Sequence, residues 1–342
     1  MKYASGRKRA TLFRRRRRAV LPLSLVAIGV VVFLFSLIDP SNTQIDITKG
    51  LQRFTPPPAT ATLTPLPAPT LAHGGQIVFT CTRGDYNQLC LIKPDGSGQA
   101  LLTSEGAHHY YPVVSPSGDE LVFASTRDGP FDLYRLSMLD GTLLRLTTNI
   151  GNVFSPDYSP DGQEILFLNP VNGGPSALWL VDRDGKDPRI LYEGPHTILA
   201  AAWSPDGNTI AFAMAIDIGN EFEIYLLDLK NQITYPQQVS HGLLGIGGSI
   251  DWSPDGSNLL VYAGPPTDKD IFRIDVATGN YTQLTFGGNN ASAAYSPDGQ
   301  WIVFNSTRND DQADLYIMRF DGELTRQLTD DPEPDWQPQW EP

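Results

Sequence analysis

Cysteine is nearly absent: Cys81 and Cys90 are the only two in 342 residues. That excludes a disulfide-framed mini-domain and a multi-cysteine metal centre. Histidine is scarce as well, at five. No His-Glu-x-x-His, Gly-x-Ser-x-Gly or Gly-x-x-x-x-Gly-Lys-Ser/Thr string occurs, and no residue stands out as a catalytic nucleophile. No stretch within residues 73–342 keeps a helical period, which excludes a helix bundle over that range.

Basic charge is short everywhere except at the start. The chain has 25 Lys and Arg against 38 Asp and Glu. Nine of the basic residues fall in positions 1–38, which hold no acid, leaving 16 basic against 38 acidic residues in the remainder. Such a body repels nucleic-acid phosphates, so nucleic acid is not an expected partner; cations, basic proteins and neutral ligands are.

Residues 19–38 form an uncharged apolar run behind five arginines at 14–18. Twenty helical residues span roughly 30 Å, the hydrocarbon thickness of a bilayer. The expectation is a basic cytoplasmic tail (1–18), a single transmembrane anchor (19–38) and everything beyond it outside the cell membrane, by the positive-inside rule. A cleaved signal peptide is the alternative, but no small-x-small site follows residue 38. Residues 39–72 read as a Pro/Thr-rich extracytoplasmic linker. Their uncharged stretch 55–72 has neither aromatic residues nor a period and cannot build a core.

What is abundant after residue 73 is a repeat. Ser-Pro-Asp-Gly stands at 159–162, 204–207, 253–256 and 296–299, with Ser-Pro-Ser-Gly at 115–118. The steps are 44, 45, 49 and 43 residues. A period near 45 marks a stacked or radial repeat. Proline presets φ, Asp bonds the local backbone and Gly supplies positive φ, so the string is a tight turn between strands. The second unit reads as strand A at 111–114, B at 120–125, C at 132–137 and D at 143–147, with an Asp-Gly hairpin between C and D. Four antiparallel strands per repeat describe a propeller blade.

The first unit has strands B, C and D at 76–82, 88–93 and 100–103, but nothing that serves as A. Residues 336–342 look like an A strand with no blade following. The expected fold is therefore an all-β, six-bladed propeller over 73–342, its ring closed by the C-terminal strand.

The strings Ser125-Thr126-Arg127-Asp128-Gly129 with Asp132-Leu133-Tyr134, and Ser306-Thr307-Arg308 with Asp314-Leu315-Tyr316, resemble the TolB-type, WD-like propeller repeat. The resemblance covers about residues 75–342. It implies a propeller serving as a binding platform, as an accessory domain of a peptidase, or as a metal-dependent lyase of oligogalacturonides. Unlike TolB, the chain has an anchor and linker where an α/β domain would precede the propeller.

The A–B and C–D turns are uniformly short, whereas the B–C and D–A loops vary. Variable loops on a rigid scaffold are where binding tends to reside, so the expected ligand face is the B–C/D–A side, at the channel mouth. His108, His109, Tyr110, His196, His241, Asn289, Asn290, Asp331 and Trp336 are its candidate binding residues. His73 lies in the linker region.

The histidines lack metal-ligand spacing. The acids of that face (Asp217, Glu221, Asp268, Asp270, Asp310, Asp311, Asp330, Asp331, Glu333 and Asp335) read as solvated loop charges, with Ca²⁺ as the alternative. No cofactor is expected. Residues 182–187 occupy a C–D turn and lack the closing Glu of a calcium loop. Cys81 and Cys90 align with Ser125 and Tyr134, positions read as facing each other on strands B and C, and a cross-strand disulfide or two buried thiols are the alternatives. The expected function is a platform for a protein, peptide or glycan, with a metal-assisted polysaccharide lyase or hydrolase as the alternative.

Overall fold

A computed structural model describes residues 75–341 apart from 216–220, 233–234 and 311. The expected tail, membrane span and linker lie outside the described residues, as do His73, Asp217 and Asp311. Among the described residues no helix is long and apolar enough to cross a membrane.

Six four-stranded antiparallel sheets make up the fold. In blade two, strands B and C are Glu120–Ser125 and Asp132–Ser137, as the repeat predicts. Strand A is longer than predicted, His109–Val114, and strand D is shorter, Leu143–Arg145. The shortening has a side-chain cause. Thr147 turns inward, and its hydroxyl accepts the Leu133 N–H at 2.9 Å while donating to Asp132 at 2.8 Å. The hydroxyl thereby takes over one rung of the ladder. Thr103, Thr285, Thr329 and Ser240 accept the corresponding amide in blades one, five, six and four. The recurring Leu-Thr pair and the Asp that opens strand C are thus parts of one buried polar joint.

Each A–B turn is built on its serine. Ser159 Oγ accepts the Glu164 N–H at 2.9 Å and donates to Asp161 at 2.7 Å. Ser204, Ser253 and Ser296 repeat both bonds. In the variant turn Asp119 takes the place of the missing aspartate and accepts from Ser115 and Ser117. The turn glycines have φ between 68° and 76°, a region that disfavours a Cβ.

Ring closure follows the predicted course. Asp335–Trp340 is strand A of blade one and pairs antiparallel with strand B, Ile77–Arg83. Blade one is therefore assembled from both ends of the described chain. A disulfide joins Cys81 on strand B to Cys90 on strand C, Cα atoms 5.9 Å apart. The two do not face each other: Cys81 sits opposite Gln88 and Cys90 opposite Phe79, so the bond runs diagonally across one face of the pair.

Strand B of blade one begins on the A–B turn side. The chain therefore joins the ring on that side, where Gln76 and Glu341 exchange hydrogen bonds. Deleting residues 335–342 should leave strand B of blade one paired only with strand C and expose an open edge. The expected result is aggregation, or a melting temperature lower by at least roughly 10 °C. A thermal melt superimposable on that of the intact chain would contradict the closure.

Candidate functional site

The channel is lined by the six A strands. Each is an edge strand, so its prolines (Pro112, Pro156, Pro338) remove no ladder bond. Strand A slips register against B in five blades. At four of these bulges a non-glycine residue takes a left-handed φ: Tyr111, Ser155, Ser292 and Gln337, between 49° and 55°. All four of these residues line a central cavity of about 230 Å³.

The cavity wall combines middle and late positions of the A strands with Gly248 and Ser249, just before strand A of blade five, and with Pro160 and Pro205 of the Ser-Pro turns. The cavity therefore reaches the turn-face end of the channel. The residues expected at the B–C/D–A mouth of the channel lie elsewhere: His108, His109, Tyr110, His196, His241, Asn289, Asn290, Asp331 and Trp336 are all absent from the wall of this cavity.

Two carboxyls lie in the wall. Asp157 of blade three accepts the Trp203 N–H at 2.7 Å, and Asp251 of blade five accepts the Tyr295 N–H at 2.7 Å. Each ties its own A strand to the next blade. Burial pushes Asp157 up to about 7 against that hydrogen bond, and the charge of Asp251 adds to the rise. Burial raises Asp251 to about 7 as well, opposed by the Tyr295 N–H and by Gln339 of blade one. Among the described residues, none that line the cavity is Lys, Arg or His. The signal for these two acids is the position before the turn aromatic. It holds Asp157, Asp251 and Gln339 in alternate blades and Val113, Ala202 and Ala294 in the others.

The predicted residues separate into three groups. His108, Tyr110 and Trp336 come together on the B–C/D–A face. His108 stacks on Tyr110 at 6.1 Å between ring centroids, and Tyr110 meets Trp336 at 6.5 Å. Tyr86, at 5.4 Å from His108, and Phe131, at 5.7 Å from Tyr110, extend the group and escaped the sequence reading. The Tyr110 hydroxyl accepts from Asn87 at 2.6 Å.

A second group is structural. His109 is fully buried, packs edge-on to Phe123 at 5.2 Å, and neither ring nitrogen has a hydrogen-bond partner. Burial lowers it to about 4. It begins the inner strand rather than sitting in a loop, so the expectation of a surface ligand is corrected. Asn290 is buried too, donating to Asp270, Thr285 and Gly287 and accepting from Arg308. Asp270 and Asp335, counted among the loop acids, are also buried: Asp270 accepts from Thr285 and Gln283, and Asp335 pairs with Arg83.

The third group stays apart. His196 is half-buried and His241 exposed, in separate blades, His241 beside Gln238. Asn289 bonds the Lys269 amide, and Asp331 is held by Arg83 and Gln99. Among the described residues no three His, Cys, Asp or Glu side chains gather as a metal ion requires.

Residues 174–342 match the family model of the TolB beta propeller domain. An uncharacterized protein of Agrobacterium fabrum is 29% identical over 231 residues, covering 66% of this chain and 60% of the relative. Dipeptidyl-peptidase 5 of Porphyromonas gingivalis is 25% identical over 299 residues, 71% of this chain and 43% of that protein. The chain thus spans three fifths or less of these curated relatives. Among solved structures, TolB from Acinetobacter baumannii superposes with a TM-score of 0.70 at 22% identity, over 78% of this chain and 67% of that one. At that identity the likeness is one of fold.

The channel acids and His109 give the fold opposite pH dependences. Asp157 and Asp251 rise from 3.8 to about 7 on folding. Their contribution is present below the unfolded value and is lost as pH rises through 7. His109 falls from 6.5 to about 4, so its contribution is present above 6.5 and is lost as pH falls through 4. Asp157→Asn and Asp251→Asn should each raise the melting temperature at pH 8 by about 2–5 °C, an effect shrinking toward pH 5. Equal shifts at both pH values would show that the carboxyls are not held near neutrality.

Proposed function

The chain carries a propeller of the TolB type, and from that premise we propose that it is a membrane-held binding platform presenting its B–C/D–A face to a protein, peptide or glycan. The observation that carries this reading is the meeting of His108, Tyr110 and Trp336, from two adjacent blades, with Tyr86 and Phe131. Aromatic rings supply contact area at little conformational cost, and they are enriched where proteins bind partners. The histidines and acids of the same face are either buried in the fold or spread over separate blades, which favours a platform over the metal-assisted lyase or hydrolase.

We extend the proposal to the orientation of the platform. Residue 75 stands on the turn face. In this reading residues 19–38 lie in the cell membrane and the tether 39–72 enters at the turn face, which leaves the loop face free of the attachment point. Dipeptidyl-peptidase 5 is a longer protein, of which this chain covers 43%, and its peptidase activity is not carried over to this chain.

Two measurements test the reading together. Protease added to spheroplasts should cut within residues 41–72 and release a folded propeller. A photo-crosslinking residue at Phe131 should then capture a partner in cells, whereas one at Leu139 or Leu324, exposed residues on C–D turns, should not. Protection of the propeller from external protease would overturn the topology. Capture from Leu139 or Leu324 alone would overturn the choice of face.

A further inference from the structure

We propose that the ring group on the loop face of blades one and two is a docking strip for a basic peptide segment, whose Arg or Lys side chains lie across the rings. This rests on the reading of the B–C/D–A face as the binding side, and adds the chemistry of the partner.

The strip is continuous. It starts at Tyr86, 39% exposed at the tip of the B–C hairpin of blade one. It runs through His108 to Tyr110, meets Trp336 and Phe131, and reaches Tyr111 at 6.3 Å from Tyr110. The left-handed turn at Tyr111 leads it to the channel wall. Apart from fully buried His109, every ring is half-buried or exposed.

Charge decides between partners that could use such rings. A neutral glycan or a proline-rich peptide would also stack on them. The surroundings, however, carry carboxylates in excess of cations. Asp85 is exposed beside Tyr86. Glu333 lies over the same hairpin, accepting the Gly84 N–H at 3.1 Å. Glu105 lies three residues before His108 and pairs with Arg127 at 2.6 Å. The nearby arginines already have partners: Arg83 with Asp331 and Asp335, and Arg145 with Asp132 and Asp128. A guanidinium or ammonium group gains both from ring faces and from neighbouring carboxylates, while an anionic chain is repelled.

The test titrates the full-length chain, purified in mild detergent, with three probes: an end-blocked (Gly-Arg)4 peptide, an end-blocked (Gly-Pro)4 peptide and neutral cellohexaose. Calorimetry should detect the arginine peptide in preference to the other two. Its affinity should fall about tenfold on Trp336→Ala, and by a similar factor in the Glu105→Gln/Glu333→Gln pair, which keeps every ring. Raising NaCl from 50 to 500 mM should weaken it as well. Leu139→Ala and Leu324→Ala on the turn side should change nothing.

Equal affinity for a neutral probe, no binding of the arginine peptide, or binding indifferent to the strip variants would overturn the inference. In those cases capture from Phe131 in cells would leave the loop-face reading standing. Loss of peptide binding in the Leu139 and Leu324 variants would overturn both.

Discussion

The serine hydroxyl that opens each A–B turn is the contact on which the ring is built. It accepts the amide five residues on and donates to the turn carboxylate. This closes the hairpin between the innermost strand and its neighbour. The same turn joins one blade to the next. In four of the five turns the bare Cα of the glycine sits over the proline of the preceding turn, and only Gly118, in the variant turn, has no such neighbour. A Cβ would stand 3.6 Å from Pro116 at Gly162, 3.7 Å from Pro160 at Gly207, 3.5 Å from Pro205 at Gly256 and 3.4 Å from Pro254 at Gly299. Ser-Pro-x-Gly is thus a hairpin and an inter-blade contact in four residues, which accounts for its recurrence at nearly constant spacing.

That contact constrains where a site can form. With the turns packed proline to glycine around one rim, the turn face is uniform and its loops have no freedom to vary. Variation is left to the opposite rim and to the channel wall, where strand A is the edge strand of its sheet. Both were used. On the wall, alternate blades substitute Asp157, Asp251 and Gln339 for small or apolar residues. On the opposite rim, blades one and two gather rings. The blade that contributes Tyr86 and Trp336 is the one assembled from both chain ends, and it alone carries a disulfide.

The architecture was legible because it rests on local chemistry. Turn residues, alternation and the blade one mismatch placed strands B and C of blade two at the observed residues and identified the closing strand. What was not legible depends on depth and on pairing register. His109 and His108 are adjacent in the sequence, yet one is entombed and the other stacks at the surface, because a strand sends successive side chains to opposite faces. Asn290 reads as a loop amide and is a buried hydrogen-bond hub. The cysteines lie diagonally because the B–C hairpin of blade one places Gln88 opposite Cys81. Asp157 and Asp251 have no place among the acids singled out from the sequence, since nothing local reveals that the A strands converge on them.

Those two acids and the strip share one physical circumstance. The body of the chain is strongly acidic, and its carboxylates outnumber the cations that could pair with them. Where a carboxyl is buried without a cation, as at Asp157 and Asp251, burial raises it toward neutrality and the fold bears a cost at high pH. At the surface, water solvates the same excess at little cost, and it persists as a field around the loops. An acidic surface interrupted by a band of rings discriminates by charge first and by shape second. On the proposed reading, a cationic partner is drawn to the whole face and held where rings and carboxylates adjoin at the junction of blades one and two.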